Sequence, residues 1–211
     1  MRVALIQMSV TADRARNITA ACQHIRRAAE GGADMAVLPE MFCCPYDNGC
    51  FRAYGETAGG QRFMESDTLS PGDQITTFDT EFGPMGLCIC FDLRFEELSR
   101  CMCLRDCQAI VVPAAFNMTT GPAHWELLFR QRAVDNQCFT LGCAPARDEG
   151  AGYVSYGNSI AVDPWGTVLC RADEKETILY ADLGLSRVKA VRQQLPILSA
   201  RRTDLYEIRE K

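Results

Sequence analysis

The sequence is poor in histidine and lysine, and it has no long apolar run. Two histidines, His24 and His124, stand far apart among 211 residues. That leaves little for a metal centre built on imidazole. Lysine is confined to Lys175, Lys189 and Lys211, so nearly all positive charge is arginine. No apolar stretch reaches the roughly 18 residues of a membrane-spanning helix, which predicts no span. The opening MRVALIQMSV is too short and too interrupted for a secretory signal, and no small-residue cleavage motif follows. The expected location is the cytoplasm, with a mitochondrial pool left open. Strong positive charge is also missing. A net charge of -5 argues against nucleic acid as the main partner.

What is present is a globular composition, 47% apolar and 23% charged. The length predicts a single domain over 1–211, with its core in about 1–185 and a C-terminal helix and tail in 186–211. The 12 cysteines are too few for a disulfide scaffold and predict reduced thiols. Cys88/Cys90 and Cys101/Cys103 are C-x-C pairs that miss the usual metal-ligand spacings, so no metal or other cofactor is expected. Most of these thiols are expected to be small core residues. A thiol-rich redox or metal-binding module is the weakest of the functional readings.

Along the chain, Arg2–Met8 predicts a buried strand, and Asp13 a cap for the helix that follows. Ile18, Ala21, Cys22, Ile25 and Ala28 recur at helical spacing as its apolar face, and Gly31-Gly32 stops it. Met35–Pro39 is a second strand, which makes a βαβ unit with a parallel pair. Phe42–Ser70 has no period, an unusual length for an irregular segment inside a compact domain. Beyond it, Ile75–Phe78 predicts a strand, Gly83-Pro84-Met85-Gly86 a turn, and Leu87–Phe91 a buried strand. Glu96–Leu104 and Ala123–Asn136 are predicted helices, the second with Trp125, Leu128, Phe129, Arg132 and Ala133 on one face. Ala109–Pro113 and Phe139–Ala144 are predicted strands. Ser159–Val162 and Thr167–Cys170 flank a hairpin turn at Asp163-Pro164-Trp165-Gly166. Ile178–Leu183 is the last predicted strand, and Leu185–Gln194 a helix ended by Pro196. The class is α/β with a mixed sheet or paired sheets.

Two residues stand where chemistry is placed in such folds. Cys90 ends a predicted buried strand and precedes the charged run Asp92-Leu93-Arg94. A corner of that kind lifts a side chain above the sheet beside backbone N–H groups that can hold an oxyanion. Glu40 ends the second predicted strand, where partial burial turns a carboxylate into a general base. Each has a plainer reading, Cys90 as one more core thiol and Glu40 as a solvated loop carboxylate. His124, at a helix start beside Trp125, is the histidine best placed to serve Cys90. Glu40 as the base for a cysteine nucleophile is the other route.

The motifs Met1–Met8 (MRVALIQM), Ala36–Phe42 (AVLPEMF), Glu65–Asp73 (ESDTLSPGD) and Gly86–Leu98 (GLCICFDLRFEEL) occur in that order. Pro113–Leu128 (PAAFNMTTGPAHWELL), Arg132–Gln137 (RAVDNQ) and Asp163–Gly166 (DPWG) follow. With them the sequence resembles the nitrilase superfamily of carbon–nitrogen hydrolases, and most of all its omega-amidase branch. The resemblance implies an αββα four-layer sandwich and a Glu-Lys-Cys triad. It implies that Glu40 is the general base, Cys90 the nucleophile and Glu65 a supporting carboxylate. It also implies that the Phe91 backbone N–H is an oxyanion donor, and that Arg94, Phe116, Thr119 and Thr120 bind substrate. The implied reaction is ammonia release from omega-amides of 2-oxo dicarboxylic acids such as 2-oxoglutaramate and 2-oxosuccinamate. No cofactor is implied. The implied assembly is a homodimer or larger homo-oligomer, with the tail from Ser199 crossing to its partner.

The sequence departs from the family at the lysine. The chain runs from Phe51–Gly60 (FRAYGETAGG) straight to Gln61–Ser66 (QRFMES), without the K-x-H-L-F-D-type motif that precedes the ES…PGD segment. An internal deletion at about residues 58–63 is therefore expected, taking strands and a helix with it. Neither Lys175, Lys189 nor Lys211 stands in the right place, and Arg62 is the nearest cation. Guanidinium is no simple substitute for an ammonium point charge. Cys88, Glu96 and Asn158 replace a usual glycine, proline and histidine. Three readings remain: an omega-amidase-type enzyme impaired by the lost lysine; an inactive scaffold or partner subunit; and another amidase, acting on deaminated glutathione or N-carbamoyl compounds.

Overall fold

A computed structural model describes residues 1–46 and 72–210. β1 (Arg2–Gln7) leads through α1 (Arg14–Glu30) into β2 (Met35–Val37), which lies parallel to it with Val3 opposite Met35 and Leu5 opposite Val37. The last strand, β9 (Thr177–Asp182), pairs antiparallel along the other edge of β1, from Arg2 opposite Asp182 to Gln7 opposite Thr177. These three form one sheet, in the order β2-β1-β9.

Among the described residues, the second sheet holds six strands in chain order. They are β3 (Thr77–Thr80), β4 (Gly83–Leu87), β5 (Ala109–Pro113), β6 (Phe139–Cys143), β7 (Ile160–Val162) and β8 (Val168–Arg171). Its centre, β4-β5-β6, is parallel, with α2 (Glu96–Leu104) and α3 (Thr120–Asn136) as the crossovers. The flanking pairs are antiparallel.

The layers follow from the two-residue period of the strands. Val3 and Leu5 of β1 share a core with Ala109, Val111, Phe139 and Leu141 of the larger sheet. The alternate residues Ala4 and Ile6 turn away onto Ala21 and Ala28 of α1. On the larger sheet, Ile110 and Val112 point the opposite way, onto Met102 and Cys103 of α2 and Trp125, Phe129 and Ala133 of α3. The order is helix, sheet, sheet, helix, which is the four-layer αββα arrangement expected. The expected gap at about 58–63 lies outside the described residues.

Three local expectations need correction. The buried face of α1 is Asn17, Ala21, His24 and Ala28, while Ile18 and Ile25 are 42% and 40% exposed. Polar contacts turn the helix. Asn17 accepts from the Thr11 backbone N–H (2.9 Å) and donates to the Thr11 carbonyl (2.7 Å), so it is buried at no hydrogen-bonding cost. Residues 83–86 are strand rather than turn, because the reversal is completed at Glu81-Phe82. Gly83, at φ 111°, lies against the Gln108 side chain, which a Cβ would strike. The predicted strand 87–91 stops at Leu87. Cys88 still donates to the Val111 carbonyl (3.1 Å), but the chain then leaves the sheet as a 3₁₀ helix, Cys90–Arg94.

α4 (Ser186–Gln194) closes the fold: Arg192 Nη2 donates to the Cys107 carbonyl (2.9 Å). Within the chain, the tail pairs Glu210 with Arg105 (Nε to Oε1, 2.8 Å).

Candidate active site

The C-terminal ends of β2, β4 and β5 converge, and each delivers one segment. β4 delivers the 3₁₀ helix that begins at Cys90. Cys90 has φ 46°, the left-handed region that a non-glycine residue occupies at a cost of about 1–2 kcal/mol. The first intrahelical bond, from Asp92 N to the Ile89 carbonyl (3.0 Å), leaves the Phe91 N–H ahead of it. Asp92 caps the turn in return, accepting from Ile89 N (2.9 Å). The neighbouring thiol of Cys88 is a different case. It is 3% exposed, and burial pushes its pKa up to about 12. Of this C-x-C pair, only Cys90 reaches partial exposure.

β2 delivers Glu40. Its Oε2 accepts from the Ala115 backbone N–H (2.9 Å), two residues beyond the end of β5. Tyr153 donates its hydroxyl to the carbonyl of the same Ala115, so that residue is held through both its N–H and its carbonyl. Glu40 borders a cavity of about 340 Å³ together with Cys44, Tyr46, Ala115 and Tyr153. Cys90 is not among that cavity's described lining.

Met41 has φ 53°. The other non-glycine left-handed residues among those described are polar: Asp106 in a turn, Gln137 at a helix end and Asn158 just before β7. Met41 and Cys90 are the apolar exceptions among the described residues. Strain of this kind marks sites where a side chain must be aimed, and here it falls on Cys90 and beside Glu40.

β5 delivers Phe116, Thr119 and Thr120. Phe116 is 3% exposed and packs edge-on against Trp125, ring centres 5.1 Å apart. The Arg94 guanidinium carbon lies 4.9 Å from the Phe116 ring centre and 5.4 Å from that of Phe91. Arg94 thus links the Cys90 turn to the β5 segment, and Ala115 links that segment to Glu40. Arg132 fixes the turn from below, donating Nε to the Leu93 carbonyl (3.0 Å) and Nη2 to the Arg94 carbonyl (2.8 Å).

Thr119 and Thr120 both turn to Asn117. Their backbone N–H groups donate to Asn117 Oδ1 at 3.0 and 2.9 Å, and the Thr120 hydroxyl adds a third contact at 3.1 Å. Glu65 and Arg62 lie outside the described residues. Lys175 is exposed beside the start of β9, and Lys189 is exposed on α4. Three positions escaped the sequence reading. Asn117, just before the helix start, carried a capping signal. Arg132 was legible only as a helix-face residue. Met41 carried no signal at all.

The carbon–nitrogen hydrolase family model matches residues 2–61 and 51–193. This chain belongs to the carbon–nitrogen hydrolase family. It is 40% identical over 270 residues to mouse omega-amidase NIT2, with 100% of this chain and 98% of that protein covered. Human omega-amidase NIT2 is 38% identical over the same length. The crystal structure of Saccharomyces cerevisiae Nit3, a nitrilase-superfamily member, superposes with a TM-score of 0.88 at 33% identity, covering 96% of each chain. The C. elegans NitFhit protein superposes with a TM-score of 0.87 at 29% identity, covering 98% of this chain and 66% of that one. This carbon–nitrogen hydrolase therefore carries the amidase fold of its relatives. The alignment to mouse NIT2 spans 270 positions against 211 residues here, which leaves 59 positions with no residue of this chain.

Proposed function

We propose that this hydrolase releases ammonia from omega-amides of 2-oxo dicarboxylic acids through a thioester on Cys90. The observation that carries the reading is the left-handed Cys90 at the head of the 3₁₀ helix, tied through Arg94, Phe116 and Ala115 to Glu40.

In the proposed reaction Glu40 takes the Cys90 thiol proton, and the sulfur attacks the amide carbon. The carbonyl oxygen becomes an oxyanion held by the Phe91 N–H. As the carbon–nitrogen bond breaks, the proton passes from Glu40 to the leaving nitrogen, and ammonia departs. Water, deprotonated by Glu40, then cleaves the thioester, giving the carboxylic acid and restoring the thiol. Glu65 supports the base. Arg94 takes the substrate's distal carboxylate, since a guanidinium matches a carboxylate with two parallel hydrogen bonds. Phe116, Thr119 and Thr120 wall the same pocket.

We place the 59 unfilled positions at the expected deletion, about residues 58–63, where the lysine motif is absent. A missing oxyanion partner costs about 10²–10³ in rate, so this chain is expected to turn over slowly. Ammonia release from 2-oxoglutaramate tests the reading. Weak release that vanishes in Cys90→Ala, and rises on grafting the corresponding NIT2 segment, supports it. Release unchanged in Cys90→Ala ends it. The same missing lysine favours a second reading, a scaffold that pairs with a longer homologous subunit; no release before or after the graft supports that one. We also propose a homodimer. Phe91 and Leu127 are 60% exposed and Phe95 50%, a set of large apolar side chains that a second copy would cover.

A further inference from the structure

Arg94 sits in an unusual environment for an arginine. Its guanidinium is flanked by the rings of Phe91 and Phe116. Its Nε is buried with no hydrogen-bond partner among the described residues. Among the described residues it has no carboxylate within ion-pair distance. Its one side-chain hydrogen bond among them joins Nη1 to His124 Nδ1, at 3.3 Å. A guanidinium has donors only, so this contact makes Nδ1 the acceptor and puts the ring's proton on Nε2. The imidazole is therefore neutral where it meets Arg94.

That choice of partner matters chemically. An aspartate at the same place would orient Arg94 equally well but cancel its charge. A neutral acceptor orients it and leaves the charge in place. The other nearby cation, Arg132, is occupied by the Leu93 and Arg94 carbonyls and by Asp135 at 3.7 Å. Among the described residues the uncompensated charge of this cluster thus belongs to Arg94, whose Nε stays under-used.

We propose that His124 is a positioning residue for substrate selection: it fixes Arg94 as an oriented, un-neutralised cation that takes the carboxylate of an amide substrate. This rests on the reading of Arg94 given above. The ligand class is a short amide with a carboxylate at its far end, in preference to an uncharged amide of the same length. Hydrogen bonds to charged groups contribute about 1.5–3 kcal/mol, so the preference is worth roughly tenfold to a hundredfold in affinity.

The test is calorimetric binding of succinamate and butyramide to the full chain carrying Cys90→Ala, which prevents turnover. Succinamate is expected to bind at least about tenfold tighter. His124→Asp is expected to erase that preference while leaving butyramide unchanged. His124→Asn, a neutral acceptor, is expected to keep it within about threefold. His124→Leu, which removes the acceptor, is expected to fall between them. Melting temperatures of all variants identify any that fail to fold, and the Asn/Leu pair then decides alone. Equal preferences in the Asp, Asn and Leu variants would overturn the proposal, since His124 would then only fill space. Arg94→Met separates the two failures. If it leaves succinamate binding intact, or if succinamate shows no preference at the outset, the reading of Arg94 falls and this proposal with it. If it abolishes the preference while His124→Asp does not, only the proposal about His124 falls.

Discussion

Two polar side chains in this molecule meet opposite fates. Gln7, at the end of β1, is fully buried and fully used. Its Nε2 donates to the carbonyls of Asp173 and Lys175, both at 2.7 Å, and its Oε1 accepts from the N–H and the hydroxyl of Ser159, both at 2.8 Å. Arg94 sits among aromatic rings with a buried Nε left over and one hydrogen bond to a neutral ring. Saturated hydrogen-bonding capacity belongs to architecture. Capacity held in reserve, oriented but unspent, belongs to binding. An unspent donor alone does not mark a binding residue, since Arg192 Nε is also buried without a partner among the described residues; what sets Arg94 apart is that it also lacks a carboxylate there and lies beside the Cys90 turn.

Several substitutions would break or sharpen this contrast. The largest effect is expected from Cys90→Ala, which should remove ammonia release altogether while leaving the denaturation midpoint nearly unchanged. Next comes Gln7→Leu. It strands the two buried Ser159 donors and removes the part-buried contacts to the Asp173 and Lys175 carbonyls, and unpaired buried groups cost about 1–3 kcal/mol each. A loss of roughly 3 kcal/mol or more is expected in urea unfolding, with the succinamate preference of the folded protein intact. Arg94→Met should do the reverse. Carboxylate-bearing amides should lose about tenfold to a hundredfold in affinity, with unfolding stability shifted by less than about 1 kcal/mol. If Gln7→Leu changed selectivity, or Arg94→Met unfolded the protein, the division between the two would collapse.

The smallest effect concerns acid. Glu176 is partly buried, which alone would raise its pKa. The Ser9 N–H (2.9 Å) and the nearby His24 outweigh that and hold it below the ordinary carboxylate value. A carboxylate depressed in the folded state contributes stability above its unfolded pKa and loses it as pH falls through the folded one. Glu176→Gln should therefore lower stability slightly near pH 7, by less than about 1 kcal/mol since the side chain is half exposed. It should also flatten the decline in acid. Denaturation midpoints at several pH values read both effects.

Most of the layer order was legible in the sequence, because strand alternation and helix punctuation are local signals. Glu96–Leu104 and Ala109–Pro113 fall where their patterns put them. The face of α1 was misjudged because hydropathy ranks Ile18 and Ile25 above Asn17 and His24. It cannot see that Thr11 and Glu176 stand ready as their partners. The strand into Cys90 was read four residues too long, since an apolar run does not announce a left-handed corner. At the site, Cys90, Glu40 and Arg94 could be singled out by position and motif. The hold of Arg132 on two carbonyls and the bond from His124 to Arg94 depend on side chains meeting across separate elements, which spacing alone does not encode.

The Gln7 knot also sets a schedule. β1 leaves the ribosome first, yet its partners β9 and Ser159 are made near the end, with Arg2 waiting for Asp182. At synthesis rates of about 5–20 residues per second, the first strand stays unpaired along that edge for roughly 10–35 seconds. Val3, Leu5 and Ile6, all fully buried in the finished protein, are exposed throughout. The β9 edge of β1 can therefore close only after β9 has emerged, so that side of the sandwich forms late in synthesis.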